Sequence, residues 1–133
     1  MGKTQTGETS GITLDAAALI AIDRGQKRML ALLIEGLSQK RVFRVPCGVV
    51  AQAWRDGGTQ PTLARFLRAH EVVVVPLDEQ RARACGELCR ATATSDVVDA
   101  SVVVVAREHR DAIITSDARD LARLDPKASP IEI

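Results

Sequence analysis

Hydrophobic and polar positions along the chain switch repeatedly between a short-strand pattern and a helical one. Ile12-Thr13-Leu14 reads as a short buried strand that stops at Asp15, and Ala16 to Ile22 reads as a helix broken at Gly25. From Gln26 to Gln39, Met29, Leu30, Leu32, Leu33, Ile34 and Leu37 recur at helical spacing with Lys27, Arg28 and Glu35 outside them, which predicts an amphipathic helix. Val42-Phe43-Arg44-Val45 is the next strand, stopped by Pro46, and Gly48 to Arg55 is predicted as a helix ending at the Gly57-Gly58 pair. Thr62 is the expected cap of a helix from Leu63 to Ala69, and Val72 to Val75 reads as a buried strand. Asp78 then caps a helix running to Ala91, Ala112 to Thr115 is a strand ended by Ser116-Asp117, and Ile131 to Ile133 adds a short last strand.

The stretch from Val97 to Ala106 is rich in β-branched residues, and periodicity alone does not separate a buried strand from a buried helix. Its ends decide. Ser95-Asp96 in front and Arg107, His109 and Arg110 behind complement the two ends of a helix dipole, so a helix is predicted. The resulting order βααβααβααβα implies an α/β fold, a three-layer α/β/α sandwich with a mainly parallel sheet of four or five strands. Ligands of such a sheet gather at the carboxyl ends of its strands.

Length and composition narrow this further. A chain of 133 residues, 46% of them hydrophobic, is expected to build one core, with residues 1–10 as a flexible polar tail and 11–133 as the domain. A net charge of +1 gives no polyelectrolyte signature, so any nucleic-acid contact must come from local charge. Three cysteines, an odd number, without an apolar leader in front point to free thiols in the cytoplasm. Cys85 and Cys89 are spaced for one helix face, but a zinc site needs further ligands and His70 and His109 are remote from them. No apolar run is long enough to cross a bilayer.

The chemistry rests on aspartates. Asp15 follows the first strand, Asp117 follows the fourth, and Asp96 and Asp99 open the valine-rich helix three residues apart, on one face. Three segments thus deliver carboxylates to one edge of the sheet, an arrangement suited to a hard divalent ion that keeps several waters. Such an ion would lower the pKa of a water and neutralise charge on a scissile phosphate. The competing reading is that Asp96 and Asp117 are ordinary N-caps. Asp15 and Asp99 weigh against it, because a buried acid after an apolar strand or inside a valine-rich helix needs a partner.

The runs ITLDAAALIAI, VPCGVVAQAWRDGG, TSDVVDASVVVVA and AIITSDARDLARL, in this order and on these elements, resemble the PIN-domain family in its toxin-associated, VapC-like branch. The resemblance spans Gly11 to Leu124. It implies a PIN-like nuclease domain and an endoribonuclease using Mg²⁺ or Mn²⁺, with catalytic acids at Asp15, Asp96 and Asp117 and Asp99 beside them. It also implies a homodimer inhibited by a small antitoxin protein. One departure stands out: where such proteins place a Glu after the second strand, this sequence has Gln52, whose amide coordinates without charge and weakens metal affinity. Asp56, one turn on, can partly replace that charge through water. A catalytically impaired PIN domain that binds RNA or protein is therefore the alternative.

An RNA substrate needs cations near the acids. Arg24, Lys27, Arg28, Arg44, Arg55, Arg65 and Arg119 are the candidates, with Arg24 and Arg55 favoured and Thr115 and Ser116 as hydroxyl partners of the site. Trp54, Phe43 and Phe66 are too few for a base-stacking platform. Other α/β classes fit less well. A phospho-receiver would need a Lys after a later strand, a haloacid-dehalogenase-type phosphatase would need an acid where Ala17 stands, and a mononucleotide module would need a Gly-rich loop.

Overall fold

The computed structural model describes residues 11–133; the tail expected over residues 1–10 lies outside the described residues. The elements are β1 (Gly11–Leu14), α1 (Ala16–Asp23), α2 (Lys27–Ser38), β2 (Val42–Pro46), α3 (Cys47–Ala53), α4 (Pro61–Leu67), β3 (Val72–Val75), α5 (Glu79–Thr92), α6 (Val97–His109), β4 (Ala112–Thr115), α7 (Ala118–Leu124) and β5 (Pro130–Glu132). The five strands form one sheet in the order β3-β2-β1-β4-β5, every neighbouring pair parallel. The mainly parallel sandwich expected from the sequence is thus an all-parallel one.

Parallel neighbours need crossovers, and right-handed ones place helices on a face set by the direction of travel across the sheet. The chain first moves outward from β1 to β3 and then returns to β4 and β5 on the far side of β1. Accordingly α1 packs on α3 and α4, while α5, α6 and α7 pack together and α6 covers β1, β2 and β4. Between the layers lies a core that includes Leu14, Leu19, Ile22, Phe43, Val45, Val103 and Ile114, none more than 1% exposed. The valine-rich segment is the helix α6, and Ala100 to Val103, Val105 and Ala106 are all buried in it. Burial on nearly every side explains why it lacks the polar stripe that would mark a surface helix.

Aspartates start four of the helices. Asp15, Asp78, Asp96 and Asp117 each accept a hydrogen bond from the backbone N–H three residues on, at 2.9–3.0 Å.

Three local expectations are corrected. First, α3 stops at Ala53, short of Gly57-Gly58, because the Gln60 amide takes over the hydrogen bonds there. Its Oε1 accepts from Arg55 N at 2.7 Å and Asp56 N at 2.9 Å, and its Nε2 donates to Ala53 O at 2.9 Å and Asp23 Oδ2 at 3.3 Å. Second, α4 begins with Pro61 at its first turn and Gln60 as cap, ahead of Thr62, since proline's fixed φ and missing N–H suit that position. Third, Val72 to Val75 is not a buried strand but the sheet's edge, with Val73 45% and Val74 40% exposed.

On the α6 side of the sheet, Asp111 is fully buried between Arg44 and Thr13. Arg44 Nη1 lies 2.7 Å from Asp111 Oδ1, and the Thr13 hydroxyl donates to Oδ2 at 2.8 Å. Gly11 is required beside them, because a Cβ there would collide with Arg44 and Asp111.

Candidate active site

The crevice between β1 and β4 is the point where the strand order turns back, and the chain leaves these two strands toward opposite faces. Asp15 stands at the carboxyl end of β1 in this crevice. Its carboxylate takes hydrogen bonds from the backbone of Ala18, Ala17 and Ser116 and from the Thr115 side chain. Burial nevertheless outweighs them and raises its pKa above the ordinary aspartate value. The Thr115 side-chain oxygen also accepts from Asp117 N at 3.0 Å, so one hydroxyl couples the ends of β1 and β4.

Asp15, Asp99, Thr115, Ser116, Asp117 and Asp120 line a cleft of about 230 Å³ whose apolar wall includes Val102 and Leu121. Asp99, in the first turn of α6, has its carboxyl pushed up to about 6, first by desolvation and then by the charges of Asp96, Asp15 and Asp120. Asp96 is exposed and does not line the cleft; its Oδ1 is spent on Asp99 N at 3.0 Å. Asp117 likewise caps α7 through Asp120 N at 2.9 Å, yet it also lines the cleft. Asp117 is thus both a helix cap and part of the cleft wall, whereas Asp96 stands outside the lining and meets Asp99 by the cap bond and by a carboxyl–carboxyl hydrogen bond.

Asp120 is an acid that the sequence reading missed. It repeats at Asp117 the three-residue step by which Asp99 follows Asp96, and that repeat was the available signal. Its carboxylate pairs with Arg123 at 3.1 Å on the exposed side of α7.

The other expected contacts stand elsewhere. Gln52 is exposed on α3 and does not line the cleft. Asp56 is not drawn in either, and its Oδ1 accepts from Gly58 N at 2.9 Å. Arg24 is the exposed C-cap of α1, and the Arg55 guanidinium turns back onto Trp54 O at 2.7 Å and Ala51 O at 3.2 Å. Arg28 donates to Glu132 O, and Arg44 is committed to Asp111. No Arg or Lys is among the residues lining the cleft.

Negative charge without a lining cation, carried by oxygen donors and disfavoured strongly enough to raise Asp15 and Asp99, suits a hard divalent cation. Among the described residues, however, no three His, Cys, Asp or Glu side chains are grouped so as to hold an ion between them. The donor set therefore fits a Mg²⁺-like ion that keeps much of its water shell and takes one or two carboxylates directly.

Fold and site together define an α/β protein with an acidic, cation-seeking cleft at the switch point of a parallel sheet. The PIN domain family model matches residues 12–127, and the chain belongs to the PIN domain family. No match was found among curated protein sequences. Solved structures with the same fold include VapBC2 from Rickettsia felis bound to a DNA fragment from its promoter. That match has 15% identity and a TM-score of 0.67, covering 92% of this chain and 98% of that one. A toxin–antitoxin complex from Klebsiella pneumoniae matches at 16% identity and a TM-score of 0.69, covering 92% and 99%. FitAcB from Neisseria gonorrhoeae matches at 15% identity and a TM-score of 0.60, covering 91% and 96%. At these identities the likeness concerns the fold.

Proposed function

We propose that the chain is a metal-dependent endoribonuclease, the toxin half of a toxin–antitoxin pair, with residues 11–133 as its nuclease domain. The observation that carries this is the gathering of Asp15, Asp99, Asp117 and Asp120 on one crevice with no lining cation. PIN domains are nuclease-type hydrolases, and the solved relatives named above include toxin–antitoxin complexes. RNA as substrate, a small antitoxin as inhibitor, a homodimer and a cytoplasmic setting complete the proposal. Among the described residues no helix is long and apolar enough to cross a membrane.

Asp15 and Asp99 are the residues to hold Mg²⁺ or Mn²⁺, with Asp117 and Asp120 reaching it through water. When bound, the ion supplies activation of water and neutralisation of charge at the phosphate. The protein groups divide the remaining work. Thr115 and the N–H groups of Ala17, Ala18 and Ser116 fix the Asp15 carboxylate, and Asp96, by capping α6, fixes the turn that presents Asp99. Ser116, exposed on the cleft wall, is placed to hydrogen-bond a phosphate oxygen. Gln52, outside the cleft lining, adds no charge there, so the aspartates carry the metal alone.

The test is cleavage of a mixed tRNA, rRNA and mRNA pool across Mg²⁺ and Mn²⁺ concentrations. Wild type should give discrete metal-dependent products. Asp15→Asn and Asp99→Asn should abolish them, and Asp96→Asn should weaken them less. Activity only in Gln52→Glu would favour an impaired PIN domain kept for binding. No cleavage by any variant would overturn the ribonuclease reading.

A further inference from the structure

The cleft raises a problem of its own. RNA carries a negative charge at every phosphate, and a crevice lined by four aspartates without a cation does not hold a strand by itself. Cations line a neighbouring cavity. Between α6 and the segment after α7, over β4, a second cavity of about 300 Å³ is lined by Arg107, Arg110, Lys127 and Ser129 above Asp111 and Asp125. Ile113 of β4 belongs to both cavities, so they adjoin over one strand.

The two acids of the second cavity are already satisfied. Asp111 is fully buried against Arg44 and Thr13. Asp125, whose side chain is 11% exposed, accepts from Arg107 Nε at 3.1 Å and Lys127 N at 3.0 Å. These bonds hold the Asp125 carboxyl below the usual aspartate range despite its burial. Arg110 and Lys127 are exposed; among the described residues neither side chain lies within ion-pair distance of a carboxylate, and the Lys127 charge acts on Asp125 from further off. The outward face of this cavity is thus cationic, while its floor is neutralised from within. Arg110 is held in place by the backbone as the left-handed C-cap of α6, with φ 57°.

We infer that the Arg107–Arg110–Lys127 cavity is a second RNA-binding site, which grips a backbone phosphate of the same strand whose scissile phosphate lies at the aspartates. The inference rests on the ribonuclease reading above and adds where the substrate's charge is met. Asp99 and Arg110 lie near opposite ends of α6, eleven residues apart, or about 16 Å at 1.5 Å per residue. That span takes a few nucleotides of single strand, laid across the surface where α6 packs on α7. Arg107 links the two roles, since it orders Asp125 while keeping half of its side chain exposed.

The test uses the full chain with Asp15→Asn to stop cleavage, and fluorescence anisotropy with labelled single-stranded RNA of increasing length. Arg110→Asn tolerates the left-handed backbone and Lys127→Gln lies in a loop, so the double variant should fold, checked by circular dichroism. The background protein should gain affinity as the RNA lengthens past the span, and the double variant should lose that gain. Losing the one phosphate contact should also flatten the log–log salt slope by about 0.7 on a single strand. A charge-matched control, Arg68→Gln with Arg90→Gln, should leave length dependence and slope unchanged. If wild type cleaves RNA and the double variant keeps the same affinity, length dependence and slope, this inference falls and the ribonuclease reading stands. If wild type neither cleaves nor binds RNA, both fall.

Discussion

Replacing Asp99 by Asn should stabilise the metal-free protein at neutral pH while removing its response to metal. In the folded chain burial and neighbouring carboxylates push the Asp99 carboxyl from 3.8 up to about 6. A raised acid binds its proton more tightly folded than unfolded, so stability is lost as pH rises from about 4 to about 6, and the cost is complete above that. At about 1.36 kcal/mol per pH unit the ceiling is about 3 kcal/mol. The group is only half-buried, and solvent screening reduces the expected effect to about 1–2 kcal/mol. Urea denaturation in a chelator at pH 7.5 should therefore show Asp99→Asn more stable than wild type by that amount. At pH 4, where the wild-type carboxyl is already protonated, the gap should close. Added Mn²⁺ should raise the wild-type midpoint by mass action and leave the variant nearly unmoved. A variant less stable than wild type at pH 7.5, by a margin that does not change with pH, would refute the claim that Asp99 is a strained acid awaiting a cation.

Other perturbations probe the scaffold. Arg44→Met should cost about 3–5 kcal/mol in urea denaturation by leaving Asp111 charged and buried, and Arg44→Met with Asp111→Leu should recover most of it. A double variant as unstable as the single one would mean that packing, not charge, is at stake there. Gln60→Ala removes the bonds from the Gln60 side chain to Arg55 N, Asp56 N, Ala53 O and Asp23; it should cost about 2 kcal/mol and speed amide exchange at Arg55 and Asp56 before the rest of the chain. Gly36→Ala places a Cβ 2.6 Å from the ring of Phe43, so calorimetry should show a loss of about 1–3 kcal/mol.

Much of this arrangement was legible because the chain punctuates itself. Aspartate caps, glycines and Pro46 mark where strands give way to helices, and the acids fall at those joints, so Asp15, Asp96, Asp99 and Asp117 were expected at one sheet edge from order alone. What stayed hidden depends on partners distant in sequence. Val72 to Val75 has the composition of an interior strand, and only the sheet order leaves it at the rim. Gln60 ends α3 with a side chain seven residues beyond Ala53, which no local propensity encodes. Arg55 looks free in the sequence, but in space it caps its own helix. Asp96 was expected to lead with Asp99 beside it on one helix face, and the cleft reverses that order, because Asp99 lines it and Asp96 does not.

The position of β1 has a consequence for the timing of synthesis. Of the five described strands the central one is translated first, yet one of its two neighbours, β4, comes a hundred residues later, and Asp117 and Asp120 later still. A nascent chain can pair β1 with β2 and β3 and pack α1 to α4 while the crevice still lacks its second bank. The acidic cleft therefore closes only after residues through α7 have left the ribosome. A nuclease built this way carries no assembled cleft while most of it is still being made on the RNA that encodes it.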